Sequence, residues 1–140
     1  MPDTLFHLSI AVSDLARAKD FYAGMLGCRV GREMRNRFDV DFFGHHVVAH
    51  LVRPDAAGQN GPNTSDGAPV RHFGVIVPYD VWKPLADRLQ AAAHPFTIAP
   101  QMMHPGSVKE QHIMLLPDGC GNVIEFKSMP PERVFAPEAA

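Results

Sequence analysis

Three histidines and one glutamate stand at matching places in a chain that is written twice. Phe6-His7-Leu8-Ser9-Ile10-Ala11-Val12 returns as Arg71-His72-Phe73-Gly74-Val75-Ile76-Val77, each a short apolar strand with a His at its second position. The copies close on Gly44-His45-His46-Val47-Val48-Ala49-His50-Leu51 and Gly121-Asn122-Val123-Ile124-Glu125-Phe126. Laid over each other, they match His7 with His72 and His50 with Glu125. Imidazoles and a carboxylate around one point suit a divalent first-row metal and leave coordination positions open for substrate, water or dioxygen. Both donor types are available near neutral pH. Glu125 falls on a strand expected to be buried, where a carboxylate needs a cation or strong donors.

The elements that must position these groups follow from periodicity. Over residues 5–12, Leu8, Ile10 and Val12 point to one face and His7, Ser9 and Ala11 to the other. A helix follows, capped by Ser13 or Asp14, with Leu15, Ala18, Phe21, Tyr22, Met25 and Leu26 at helical spacing and Gly27 as its stop. Short strands are expected around 28–34, 37–43 and 45–52, turning at Gly44. The second copy repeats the order. A strand over 70–77 puts Phe73, Val75 and Val77 opposite His72, Gly74 and Ile76. A helix runs from a cap at Asp80 to about Ala93, with Pro84 in or near its first turn. Strands near 96–100, 111–117 and 122–127 complete it. The reading is βαβββ twice: a first module over about 4–53, a Gly/Pro-rich linker over 54–69, a second module over about 70–127, and a Pro-rich tail over 128–140 that forms an arm or a disordered end. In each module the bulky apolar side chains share the helix-packing face. The other face sets His beside small residues, as a cavity wall would.

Composition narrows the class. The chain has 140 residues, 46% of them hydrophobic and 20% charged, which fits a single domain with an ordinary core. A net charge of -2 with scattered Lys and Arg excludes a basic stripe, so nucleic acid is not expected as a partner. No apolar run reaches membrane-spanning length and Met1-Pro2-Asp3-Thr4 lacks a signal pattern, so a cytoplasmic protein is expected. Cys28 and Cys120 have neither disulfide-framework nor zinc-finger spacing and read as free thiols.

Several pieces together resemble the vicinal oxygen chelate superfamily, which includes glyoxalase I, extradiol dioxygenases, and fosfomycin- and bleomycin-resistance proteins. They are Phe6 through Leu15, Lys19-Asp20-Phe21-Tyr22 with Leu26-Gly27, Arg71-His72-Phe73-Gly74-Val75, and Pro117-Asp118-Gly119 leading to Gly121 through Phe126. Together they span nearly the whole chain. The resemblance implies an α+β fold in which the paired modules form a curved, cupped mixed sheet. It also implies metal ligands at His7, His72 and Glu125, and a homodimer acting on a small-molecule substrate. The variable position, on the last strand of the first module, is His50. An acid–base His there is a feature of extradiol dioxygenases, whereas glyoxalase I places a fourth ligand there. The expected metal is Fe²⁺ or Mn²⁺, with Zn²⁺ or Ni²⁺ as alternatives. The chain departs from the extradiol pattern in carrying Leu115 and Leu116 where a Tyr is usual. The turn before Asn122 is longer by two residues.

The favoured expectation is therefore an extradiol-dioxygenase-like enzyme that chelates two adjacent substrate oxygens, with His50 moving the proton; a His50 that only orients the ligands is the equal alternative. Its rivals are a glyoxalase-type lyase or isomerase with His50 as fourth ligand, and a metal-free protein that sequesters an aromatic ligand. His45 and His46 read as solvated turn residues, although His46 shares the face of His50. His112 reads as a residue that hydrogen-bonds a neighbour, with reach into the pocket as the alternative. Met102, Met103, Met114 and Phe96 fit either a pocket lining or core. Arg29, Arg32, Arg35 and Arg37 read most simply as a solvated face, with an anionic-substrate clamp as the alternative.

Overall fold

Two apolar faces, each covered by one helix, organise the molecule in the computed structural model. It describes residues 4–53, 67–69 and 71–137. Most of the expected linker, Val70 and the last three residues of the expected tail lie outside the described residues. The chain divides into two units, Met1–Asn60 with Pro117–Asn122, and Gly61–Leu116 with Val123–Ala140.

In the first unit β1 (His7–Val12) leads into α1 (Leu15–Lys19), which continues as a π-helical segment, Asp20–Met25. Asp14 caps α1 by accepting the Arg17 N–H at 2.9 Å. Gly27, at φ 77°, allows the left-handed exit that stops the helix. β2 (Arg29–Met34), β3 (Arg37–Phe42) and β4 (His45–Leu51) follow. The sheet order is β1-β4-β3-β2, with β1 parallel to β4 and the remaining pairs antiparallel. Alternation holds as expected. Ile10, Val12, Phe38, Val40, Phe42 and Val47 are buried together with Ala18, Phe21, Tyr22 and Leu26 of the helix. Each fully buried side chain of this size contributes about 1.5–3 kcal/mol. The Tyr22 hydroxyl donates to Asp118 Oδ2 at 2.8 Å, and Asp118 also accepts from the Cys120 and Asn122 N–H groups and from Asn122 Nδ2. Four donors satisfy a carboxylate that is only 2% exposed.

The second unit repeats the plan with β5 (Phe73–Ile76), α2 (Tyr79–Ala91), β6 (Ile98–Met103), β7 (Gln111–Pro117) and β8 (Val123–Ser128). Its order, β5-β8-β7-β6, with β5 parallel to β8, matches the first sheet. Trp82, Leu85, Ala86 and Leu89 form the buried stripe of α2, and the Trp82 indole N–H donates to the Phe126 carbonyl at 3.0 Å. Three details differ from expectation. α2 begins earlier, with Pro78 in the N-cap position, so Asp80 is a first-turn residue and not the cap. Pro84 is consequently the sixth helical residue, and its missing N–H removes a bond to the Asp80 carbonyl. The described part of the tail forms a short helix, α3 (Pro131–Val134), rather than a free arm.

Both β2 and β6 carry one extra residue. Val30 pairs with Val40 and Glu33 with Phe38; Ile98 pairs with Leu115 and Gln101 with Ile113. Three steps on one strand oppose two on the other, which is a β-bulge, and it re-aims the side chains around it. The duplication therefore extends to an irregularity that alternation alone does not reveal.

Candidate functional site

The face of the first sheet opposite α1 bears a cavity of about 390 Å³. Strand register explains what lines it. β1 contributes His7 and Ser9, paired with His46 and Val48 of β4, and His50 follows two residues on. β3 adds Asp39 and Arg37, which pair with Val48 and His50, and β2 adds Arg32 and Met34.

His7 is exposed on this face, not packed in the core. Its Nδ1 lies 2.9 Å from His46 Nδ1, and the two ring planes are inclined by 23° with centroids 4.8 Å apart. Asp39 Oδ2 is 3.6 Å from His46 Nε2 and favours the proton there. That assignment makes His46 Nδ1 the acceptor and His7 Nδ1–H the donor. The lone pair of His7 Nε2 is then left for another partner.

In the second unit His72 sits one residue before β5 and meets Glu125 of β8. Its Nδ1 is 2.5 Å from the Pro69 carbonyl, which can only accept, so Nδ1 carries the proton. Nε2, 3.0 Å from Glu125 Oε1, is an acceptor facing an acceptor in the neutral ring. Only a proton or a cation shared by the two relieves that contact. Two ligands at right angles around one ion, each about 2.1 Å from it, lie about 3.0 Å apart, so the pair has the spacing of adjacent metal ligands. Backbone packing makes this approach possible. Gly74 is opposite Glu125 in register, and a Cβ on it would lie 1.6 Å from the Glu125 carbonyl oxygen.

The structure thus brings His72 to Glu125, and sets His7 and His50 along one cavity. Among the described residues no group of three or more His, Cys, Asp or Glu is gathered around one point. Register also changes the status of His50. If His7 and His72 correspond, Gly74 corresponds to Ser9, and the counterpart of Glu125 is Val48, opposite Ser9. His50 lies one pleat further along β4, about 13 Å by strand rise from His46 and beside Arg37.

Two residues of this surface were outside the sequence reading of the site. His46, expected in a solvated turn, is the residue that touches His7, and Asp39 stands behind it. The signal is present in the four-residue spacing of His46 and His50, two strand periods that keep both on one face, and in the hairpin register through Gly44. His45 is likewise engaged, accepting the Phe6 N–H at 3.2 Å. His112 belongs elsewhere, tilted against Tyr79 and Trp82 at 4.7 and 5.2 Å between ring centroids. Met114 is core, and Met103 packs against the cluster of Ala68, Ile113, Leu115 and Val123. Neither thiol is activated. Burial pushes Cys28 up to about 11 and raises Cys120, whose Sγ–H points at the Asp14 carbonyl.

Comparison with known proteins agrees with this architecture. Among curated proteins no significant sequence match is found. A solved glyoxalase/bleomycin resistance protein/dioxygenase from Alicyclobacillus acidocaldarius has 29% identity and a TM-score of 0.78, covering 97% of this chain and 98% of that one. The fosfomycin resistance protein FosX from Listeria monocytogenes shares the fold at 10% identity, with a TM-score of 0.67 and coverage of 95% and 98%. So does a lactoylglutathione lyase from Agrobacterium tumefaciens, at 13% identity, with a TM-score of 0.64 and coverage of 96% and 98%. Residues 4–126 match the model of the glyoxalase/bleomycin resistance protein/dioxygenase superfamily, and with its paired βαβββ modules the chain belongs to that family.

Proposed function

We propose that this protein is a metal-dependent enzyme, with His7, His72 and Glu125 holding a divalent ion, Fe²⁺ or Mn²⁺ before Zn²⁺ or Ni²⁺. The observation that carries the reading is shared by the two repeat-related histidines. Each has Nδ1 engaged by a neighbour in its own unit, and the Nε2 of His72 faces a carboxylate at ligand–ligand distance. The ion would supply a Lewis acid and a template for a substrate presenting two adjacent oxygens.

What the chain itself does follows from the residues around those ligands. His46 and the Pro69 carbonyl fix the two imidazoles in one tautomer and one orientation. Ser9 and Val48, small or apolar, leave the space in which a flat substrate lies. His50, exposed to the same cavity, takes a proton from the substrate or returns it. The favoured reaction class is extradiol-type cleavage of a catechol-like diol, in which dioxygen is the oxidant and both of its atoms enter the ring-opened product. The position of His50, away from the register counterpart of Glu125, supports an acid–base role over that of a fourth ligand. This favours the dioxygenase reading over the lyase or isomerase reading. A homodimer is the proposed working species.

The test is metal content by mass spectrometry on untagged protein, with oxygen uptake on catechol as the second readout. One first-row metal per chain is expected, lost in His72→Ala and kept in His50→Ala, with oxygen uptake lost in both. Failure to take up Fe²⁺ or Mn²⁺ added anaerobically would leave a ligand-sequestering protein as the reading. Unimpaired turnover in His50→Ala would remove the proton-transfer role.

A further inference from the structure

The four arginines of the β2–β3 region do not share one environment. Arg29 pairs with Asp41 at 3.2 Å, and Arg35 lies in the turn between the strands. Arg32 and Arg37 line the cavity of the first unit. The β2 bulge is what separates them. Val30 and Glu33 both pair with buried residues of β3, Val40 and Phe38, and so belong to the helix-covered face, where Glu33 pairs with Lys19. The extra residue lets Arg32 and Met34 fall on the opposite face, beside Arg37. A regular β2 would have turned Arg32 away.

Among the described residues no carboxylate pairs with Arg32 or Arg37. Arg37 spends only its Nε–H, on the weak acceptor Met34 Sδ at 3.1 Å. Both arginines line the cavity. The lining carboxylate, Asp39, is directed to His46. The cavity therefore carries two fixed positive charges against one negative, with no internal counter-charge on the guanidinium groups. Guanidinium groups so placed bind oxyanions in a fork geometry.

We infer that the cavity takes an anionic substrate, bearing a carboxylate or phosphate group held by Arg32 and Arg37, the second of them paired in register with His50. This names the substrate class within the metal-dependent reading and rests on it only for the chemistry that follows binding. Anion capture itself needs no metal.

The experiment is therefore calorimetric titration of metal-free protein with benzoate and with inorganic phosphate, for wild type, Arg32→Ala, Arg37→Ala, Arg37→Lys and Arg35→Ala. Arg32 is exposed and Arg37 lies beside the turn, so the variants are expected to fold, and circular dichroism checks that. Saturable binding of at least one anion is expected in wild type, weakened about tenfold or more in Arg32→Ala and Arg37→Ala. Arg37→Lys should recover part of it, and Arg35→Ala, with the same loss of charge, should bind as wild type does. Absence of binding in wild type, unchanged binding in Arg32→Ala and Arg37→Ala, or equal weakening in Arg35→Ala would each overturn the inference. Because the protein is metal-free throughout, loss of the metal reading would leave these results unaltered.

Discussion

The two units fold by the same plan and carry different chemistry. Each has a parallel first-to-last strand pair, a helix over one face, a bulge in its second strand and a His at, or one residue before, the start of its first strand. In the first unit that His leans on another side chain, His46, and opens onto a cavity with arginines. In the second it leans on a backbone carbonyl and meets a carboxylate. The difference shows how a duplicated scaffold separates tasks. The backbone conserves where an imidazole stands, while single side chains on the neighbouring strand decide whether it meets acid or base. It also places the tunable support in the first unit, since a carbonyl cannot be mutated away.

The sharpest way to break the comparison is at the strand position that follows each His by two residues. Gly74→Ala drives a Cβ into the Glu125 backbone and is expected to cost about 3 kcal/mol or more, or to prevent folding. Its counterpart Ser9→Ala lies on an open face and is expected to change stability by less than about 0.5 kcal/mol. Urea denaturation of the two variants measures both; a tolerated Gly74→Ala would show that the close β5–β8 approach is not required.

Next in size is the support of the imidazoles. His46→Phe removes the partner of His7 Nδ1 and should weaken metal binding roughly tenfold to a hundredfold, read by competition with a chromophoric chelator. Equal affinity in wild type and variant would mean that His7 needs no support, or is not a ligand.

A smaller effect is expected at the buried network of the first unit. Tyr22→Phe takes one of four donors from Asp118 and should lower stability by about 1–2 kcal/mol in the same denaturation assay. A change below about 0.5 kcal/mol would mean that the remaining donors suffice.

The last contrast is in pH. Tyr22, Cys28 and Cys120 all belong to the first unit, and burial raises the pKa of each; Cys28 goes from 9.0 to about 11. A folded-state pKa above the unfolded one means that the native state holds its protons longer. The associated stability is therefore intact below about pH 9 and is lost as pH rises through the folded values. Hydrogen exchange between pH 8 and 11 should show protection fading first in the first unit. Simultaneous loss in both units would contradict that assignment.

Much of the fold was legible because each strand and helix advertises its buried face. Phe38, Val40 and Phe42 alternate, Trp82, Leu85, Ala86 and Leu89 follow a helical stripe, and Gly27 marks a helix end by its conformational freedom. The start of α2 is not legible in the same way, because Pro78, which has no capping side chain, occupies the N-cap position and leaves Asp80 in the first turn. The pairing of His72 with Glu125 could be anticipated from the repeat, since both fall on the small-residue face of adjacent strands.

The sequence by itself determined the duplication, the element types and the side of each strand on which a side chain emerges, because those depend on local sterics and on periods of two and 3.6 residues. Only the tertiary structure decided which of those side chains meet. The bulge that turns Arg32 to the cavity face shared with Arg37, the pleat that separates His50 from the counterpart of Glu125, and the contact of His46 with His7 all depend on register between strands. Register is set by pairing between segments distant along the chain, and a shift of one residue turns every side chain to the other face.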